Sequence, residues 1–107
     1  MINKIGSYPL IKLANNCSIP CYVLGDTRKI LPEQYELGPE SLKPAEEIID
    51  ESIPENLSVI NRYFDFTPLK FFSYLLSEKG FISIQRLREQ MKKISIHNDL
   101  QQVLPIM

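Results

Sequence analysis

The sequence has no excess of positive charge. Its 107 residues carry 12 lysines and arginines against 13 aspartates and glutamates, which gives a formal net charge of -1 at pH 7. A protein that holds the phosphate backbone of a nucleic acid normally concentrates basic residues for that purpose. We therefore expect no nucleic-acid partner.

Long apolar runs are also missing. The chain is 44% hydrophobic, but its apolar runs extend over only a few residues, far short of the ~20 that are needed to cross a bilayer. No apolar block typical of a signal sequence stands at the N-terminus. We expect a cytoplasmic protein with no membrane partner, and its length suits one domain with a single core.

Residues that bind metals are scarce. The two cysteines, Cys17 and Cys21, are spaced C-x3-C without a second pair, and His97, the single histidine, lies far from them in sequence. A zinc site would need further ligands from outside this group. The sequence therefore predicts two buried thiols and neither a metal nor another cofactor.

A loop that leads into a helix is the strongest local signal. Ser7 precedes apolar residues spaced three and four apart, which predicts a helix over 8–17. Ser7 is a good N-cap, and Pro9 suits the first turn because it lacks an N–H that would need a partner. A helix N-terminus favours an anion, and Lys4 adds a positive charge beside it. The pattern indicates a phosphate site, although a plain helix start beside a solvated lysine has the same residues.

The residues after this helix predict a buried strand. Residues 21–24 form an apolar run between Pro20 and Gly25, and such runs are typical of strands covered on both faces in a parallel sheet. A helix followed by such a strand is half of a βαβ unit, in which another strand precedes the loop at Asn3. Since the sequence begins at Met1, we expect an α/β fold whose parallel sheet is incomplete.

A polar connection follows. It contains four spaced prolines, which are Pro32, Pro39, Pro44 and Pro54. These prolines prevent long helices. The second half of this connection is acidic. Its acidic residues predict a solvated face rather than a carboxylate pair for acid–base chemistry. These residues are Glu46, Glu47, Asp50, Glu51 and Glu55. A connection this long is uncommon unless it covers a site or a partner, and we expect it to cover a partner.

The second half of the sequence predicts a further strand and a helix. The strand covers 57–60 and leads into the aromatic residues 63 and 64. Thr67 and Pro68 predict the start of a helix that carries Phe71 and Phe72. Gly80 is expected to end this helix as a left-handed C-cap.

A last amphipathic helix is predicted after Ser83, which is a good N-cap. Its apolar face consists of Ile84, Leu87, Met91 and Ile94. Basic residues form its solvated face, and they are Arg86, Arg88, Lys92 and Lys93. We divide the chain into a domain over 1–96 and a C-terminal tail over 97–107, whose apolar end is expected to dock on another surface.

Four blocks of the sequence together resemble one superfamily. They are NKIGSY (3–8), IPCYVL (19–24), FDFTP (64–68) and SEKG (77–80). They are similar to N-K-I-G-T, I-P-x-Y-V, F-D-x-T-P and T-E-x-G in the carboxyl-terminal part of the alpha, beta and delta subunits of translation initiation factor 2B, methylthioribose-1-phosphate isomerase and ribose-1,5-bisphosphate isomerase. Ser7 and Ser77 replace threonine and keep its hydroxyl group. The resemblance implies an incomplete Rossmann-like parallel sheet, the C-terminal half of the domain, with flanking helices.

The resemblance also implies a ligand site without catalytic groups. In the isomerases the asparagine and lysine of this block hold the sugar phosphate, and we assign a phosphate or sugar site to Asn3, Lys4, Gly6 and Ser7. The isomerases' catalytic cysteine and aspartate lie upstream of the block, where this sequence has only two residues. We therefore assign no catalytic residue, and both cysteines of this chain lie on the wrong side of the block to take that role.

Three functions are compatible with these residues. In the first, the chain is a non-catalytic half-domain that acts through homo- or hetero-oligomeric association of this C-terminal domain and retains a sugar-phosphate or nucleotide site. Alternatively, it completes a composite aldose–ketose isomerase with a partner that supplies the acid and base. In the third reading it is a truncated product without a function of its own. In all three, an apolar sheet edge has to be paired or hidden.

Overall fold

A computed structural model describes residues 1–33, 35, 38 and 40–100 of the chain. These residues form two α-helices, α1 (Ser7–Asn16) and α2 (Ile84–Lys93), and five short strands, which are β1 (Ile2–Lys4), β2 (Tyr22–Leu24), β3 (Phe64–Phe66), β4 (Tyr74–Ser77) and β5 (Gly80–Ser83). No helix in the described part is long and apolar enough to cross a membrane. The mixture of helices and sheets confirms the α/β class.

The five strands form two separate sheets. β2, β4 and β5 make a three-stranded sheet in which β2 runs parallel to β4, while β4 and β5 are antiparallel. β1 and β3 form an antiparallel ribbon that places Asn3 opposite Asp65. A strand therefore does precede α1, but it lies in the ribbon and not in the sheet with the parallel pair. The three-stranded sheet is mixed and the ribbon is antiparallel, and the Rossmann-like arrangement stays a prediction.

One face of the three-stranded sheet carries the hydrophobic core. Leu75 of β4 and Ile82 of β5 are buried there together with Leu87 of α2. Met91, one turn further along α2, packs against the same cluster. Ser83 caps α2, since its hydroxyl oxygen accepts the N–H of Arg86 at 3.2 Å, which confirms the predicted start of this helix. The four basic residues of α2 are exposed, as predicted.

The opposite face of the sheet is open. Side chains alternate between the two faces of a strand, so Tyr22, Tyr74 and Phe81 lie together on this face, with the two tyrosine rings stacked 6.2 Å apart. Tyr22 is 54% exposed and Leu24, further along β2, is 82% exposed. The prediction that β2 is covered on both faces is therefore wrong for this chain, because α2 covers only one of them.

Two predicted elements of the second half are wrong. Residues 57–60 are irregular, and the strand begins later, at Phe64. After Thr67 the chain makes a single 3-10 turn (Leu69–Phe71) and then enters β4, where a helix was predicted. Short apolar runs fit a helix and a strand equally well, and here β4 is held as a strand because it pairs with β2 and β5 on its two edges. Gly80 accordingly lies in the β4–β5 hairpin and not at a helix end.

The cysteines and the connection lie on the surface. Cys17 is exposed, Cys21 is partly buried and both are free, so the prediction of two buried thiols is wrong: the turn between α1 and β2 lies outside the core. No group of three or more metal-binding side chains occurs among the described residues. The described part of the connection is irregular apart from single 3-10 turns, and its acidic residues from 46 to 55 are exposed, as their pattern predicted. Pro39 and the apolar end of the tail (103–107) lie outside the described residues.

The chain is more open than a domain of its size needs to be. Its radius of gyration is 17.1 Å, whereas a compact domain of this length has about 13 Å. Its accessible surface is 8361 Å², roughly 2,200 Å² more than the ~6,100 Å² typical of a folded monomer of this mass. Part of this surface is apolar, including Leu10 and Leu13 of α1, in which no residue is buried.

Replacing Gly80 by alanine should lower the free energy of unfolding by roughly 1–2 kcal/mol, because its φ of +92° lies in the left-handed region that L-residues avoid. Gly25→Ala is the matched control. Its added Cβ would lie 3.7 Å from Leu75 Cδ1, an ordinary contact, so a change within about 0.5 kcal/mol is expected. Urea denaturation measures both, and an equal loss in the two variants would contradict the hairpin conformation.

Candidate anion-binding corner at the start of α1

The end of β1 and the start of α1 bring the four predicted site residues together. Asn3 and Lys4 are the last residues of β1, and both side chains are exposed. Gly6 stands directly before α1 and Ser7 is its first residue. The Asn3 side-chain oxygen accepts the backbone N–H of Lys4 at 2.9 Å. We call this group of residues, together with the loop between them, the corner.

The N-cap of α1 is Gly6, not Ser7 as predicted. Gly6 has a φ of +99°, so the chain turns into the helix one residue earlier than the sequence suggested. The hydroxyl of Ser7 instead donates a hydrogen bond back to the carbonyl of Lys4 at 2.7 Å. Ser7 therefore closes the loop at the corner, and another group has to accept the N–H groups at the start of the helix.

That acceptor is the carboxylate of Asp65 in β3. Its Oδ2 accepts the N–H of Gly6 at 2.8 Å and the N–H of Tyr8 at 3.1 Å. Asp65 reaches this position because it lies opposite Asn3 in the ribbon. A carboxylate at a helix N-terminus is favoured for the same reason as a phosphate. The Asp65 carboxylate thus already occupies the position at the start of α1 that favours an anion. Asn3 and Lys4 are the exposed polar side chains of the corner.

Lys4 has no acidic partner in the described part of the chain. The ion pair found there between a basic side chain and a carboxylate joins Arg28 to Asp26. Lys4 is exposed to solvent. It can therefore meet an external phosphate without breaking an existing ion pair.

Two grooves meet at Asn3. The first, of about 490 Å³, runs between α1 and β2 and is lined by apolar side chains that include Leu10, Ile11, Tyr22 and Leu24. The second, of about 520 Å³, lies towards α2 and combines apolar side chains, among them Val23, Leu75 and Leu87, with the polar Asp26, Lys29 and Glu33. Asn3 lines both grooves, so a molecule that contacts Asn3 would lie next to whatever fills either of them.

The carboxyl end of the parallel pair is closed by internal contacts. Glu78, in the turn after β4, accepts the N–H of Thr27 at 3.0 Å and a hydrogen bond from the Thr27 hydroxyl. The hydroxyl contact is the main reason why the pKa of Glu78 is lowered. Arg28 binds Asp26 at 2.9 Å, and its side-chain hydrogen bond lowers the pKa of that carboxyl. Both carboxylates at this edge already have partners.

Comparison with known proteins finds a family and several relatives that are similar to this chain. The sequence profile of the initiation factor 2 subunit family matches residues 1–84. Two methylthioribose-1-phosphate isomerases are similar over about three quarters of this chain: that of Rhodopirellula baltica is 34% identical over 90 residues (76% of the chain), and that of Acetivibrio thermocellus is 38% identical over 86 residues (75% of the chain). A 5-deoxyribose 1-phosphate isomerase from Petrotoga mobilis is 30% identical over 101 residues (86% of the chain).

These relatives are much longer than the part that matches. The aligned region is 25% of the two methylthioribose-1-phosphate isomerases and 28% of the third enzyme. The chain thus spans about a quarter of their length. The match to the family profile, over residues 1–84, covers the corner, the parallel pair and β3.

Asp65→Ala should lower the free energy of unfolding by about 1 kcal/mol, the usual loss when a helix N-cap acceptor is removed. The loss should appear together with faster amide hydrogen exchange in the first turn of α1. Asp50→Ala is the control, since Asp50 is an exposed carboxylate with no partner in the described part of the chain. If the two variants unfold at the same urea concentration, Asp65 does not stabilise the helix.

Proposed function

Because the chain belongs to the initiation factor 2 subunit family, we propose that it is a non-catalytic half-domain that binds a sugar phosphate at the corner and works by association. The proposed partner is an α/β segment that would extend the open sheet at β2. Neither ligand binding nor association requires a catalytic acid or base in this chain. The proposal therefore assigns it no turnover of its own.

The sugar-phosphate class is supported by the relatives and by the corner. Three of the relatives are named for pentose 1-phosphates that carry methylthio or deoxy groups. The family profile that matches this chain extends over Asn3 and Lys4, whose amide and ammonium groups suit a sugar hydroxyl and a phosphate. Gly6 and Ser7 shape the loop between these ligand groups and α1. We therefore propose Asn3, Lys4, Gly6 and Ser7 as the ligand-binding residues.

The open sheet supports association. Within the described residues β2 pairs only with β4, so its other edge is free to accept a strand. The apolar groove between α1 and β2 runs along the same strand. Exposed apolar side chains along α1 and β2, among them Leu10, Leu13 and Leu24, offer surface that an interface would cover.

We propose that the occupant of this groove is an α/β segment whose strand extends the sheet at β2. The parallel β2–β4 pair would then be the C-terminal half of a Rossmann-like sheet. The same segment would place a helix against the open face that carries Tyr22 and Tyr74. This arrangement covers both faces of the sheet, as parallel sheets require.

One observation carries the proposal: Asn3 lines the apolar groove as well as belonging to the corner. A segment seated in the groove would reach the ligand site, so that association and ligand binding support each other.

A composite isomerase is the second candidate. It is favoured by the names of the relatives, which are isomerases. Moving a proton between C1 and C2 of an aldose phosphate needs a placed acid and base, and the partner segment would supply both. Turnover by the assembled pair separates this function from association alone.

The isolated chain should bind ribose 1-phosphate, and Lys4→Ala should weaken binding at least about tenfold, because a charged hydrogen bond contributes about 1.5–3 kcal/mol. Isothermal titration calorimetry measures the affinity. Lys79→Ala is the control: this lysine is also exposed but lies in the β4–β5 turn. Equal affinities of wild type and Lys4→Ala would remove Lys4 from the ligand site.

The chain should also form a complex with a methylthioribose-1-phosphate isomerase from which the matching quarter has been deleted. Leu24→Asp should abolish this complex by placing a charge on the apolar groove, whereas Leu42→Asp, at an exposed leucine of the connection, should leave it intact. Sedimentation velocity measures association, and an isomerase assay of the mixture tests the second candidate. A wild-type chain that sediments alone in the presence of this partner would refute the proposed association.

A further inference from the structure

Glu40 is the only ionisable side chain that is buried among the described residues, with 8% of its surface exposed. Its two carboxylate oxygens accept separate backbone N–H groups, Oε1 that of Tyr63 at 2.6 Å and Oε2 that of Phe64 at 3.2 Å. A buried carboxylate is costly unless such donors satisfy it. The buried Glu40 carboxylate therefore fixes the backbone of residues 63 and 64.

The backbone of Tyr63 is also bonded on its other side. Its carbonyl accepts the N–H of Ile5 at 2.8 Å, and Ile5 directly follows Lys4 in the corner. Two successive hydrogen bonds therefore link Glu40 through Tyr63 to Ile5. A change in the position of Tyr63 would move this end of β1.

Phe64 provides a second connection to the corner. It is the first residue of β3 and lies opposite Lys4 in the ribbon. Asp65, the next residue, accepts the N–H groups of Gly6 and Tyr8 at the start of α1. By fixing the start of β3, Glu40 also sets the position of the Asp65 carboxylate.

Glu40 is itself held firmly, because the connection around it is bonded to the same segment. The amide nitrogen of Asn61 donates to the carbonyl of Pro44 at 2.8 Å, and the carbonyl of Asn61 accepts the N–H of Lys43 at 2.9 Å. The Tyr63 hydroxyl donates to Glu47 at 2.6 Å. Residues 40–47 and 61–64 therefore form one braced unit.

We propose that Glu40 is a positioning residue for the sugar-phosphate corner: it fixes the backbone of residues 63 and 64, and through it the placement of Lys4 and Asp65. This inference rests on the proposed ligand site and adds a residue to it that touches no ligand. It also gives this part of the connection a role within the chain, the positioning of β3. The sequence had instead suggested that the connection covers a partner.

Glu40→Gln tests the inference with little change in side-chain volume. The glutamine side chain has one carbonyl oxygen, which can accept only one of the two backbone N–H groups in the same geometry. Its NH2 group, itself a donor, then faces the second N–H, and that hydrogen bond is lost. Binding of ribose 1-phosphate should weaken about fivefold, within the range expected for a residue coupled to a site. Amide hydrogen exchange at Gly6 and Tyr8 should become faster. Glu46→Gln, an exposed glutamate of the same connection with no partner in the described residues, should change neither quantity.

A double-mutant cycle with Asp65→Asn separates positioning from general loss of stability. If Glu40 acts through β3, the losses of affinity from Glu40→Gln and Asp65→Asn should not be additive. Glu40→Asp, which keeps the charge but shortens the side chain, should give an intermediate exchange rate at Tyr8. A lower melting temperature with unchanged exchange at Gly6 and Tyr8 would show a merely structural role and overturn the inference.

The wild-type chain provides a test that needs no variant. Coupling between two sites is reciprocal, so saturating ribose 1-phosphate should slow amide exchange at Tyr63 and Phe64; unchanged exchange there would overturn the inference. Failure of wild type to bind ribose 1-phosphate refutes the proposed site. If wild type binds, Lys4→Ala does not, and Glu40→Gln binds within twofold of wild type, the site stands and only the role of Glu40 is wrong.

Discussion

The corner depends on one carboxylate at a helix start. The first N–H groups of an α-helix have no partner within the helix, and in α1 Asp65 accepts two of them, at 2.8 and 3.1 Å. The same residue lies opposite Asn3 in the ribbon, so β1, β3 and α1 are joined at one point. The positions of Asn3 and Lys4 therefore depend on a residue about sixty positions away in sequence.

Features that depend on neighbouring residues could be predicted from the sequence. The apolar spacing of α1 predicted this helix to within one residue of its observed start and end. Ser83 was correctly identified as the cap of α2. The spaced prolines correctly indicated that the connection, as far as it is described, contains no long helix. Each of these features follows from contacts between residues a few positions apart, where capping and periodicity carry the information.

Features that depend on distant pairing could not be predicted. The run from Phe72 to Leu76 has a spacing that also suits a helix, and only its pairing with β2 and β5 makes it a strand. Ser7 is a good N-cap by residue type, but the acceptor comes from Asp65, whose position depends on the register of the ribbon. Glu40 stands in a segment that was interpreted from its charge and prolines alone. No local pattern marks it as buried.

Polar contacts and apolar surface have separate roles in this chain. The corner is held by hydrogen bonds: Asp65 binds the start of α1, and Glu40 binds the backbone of residues 63 and 64. The buried apolar core is small and lies elsewhere, between the three-stranded sheet and α2. The remaining apolar surface, along α1 and β2, is left uncovered. Because the corner does not depend on that surface for its shape, a partner can cover the groove without rebuilding the ligand site, and Asn3, which lines the groove, is where the two would influence each other.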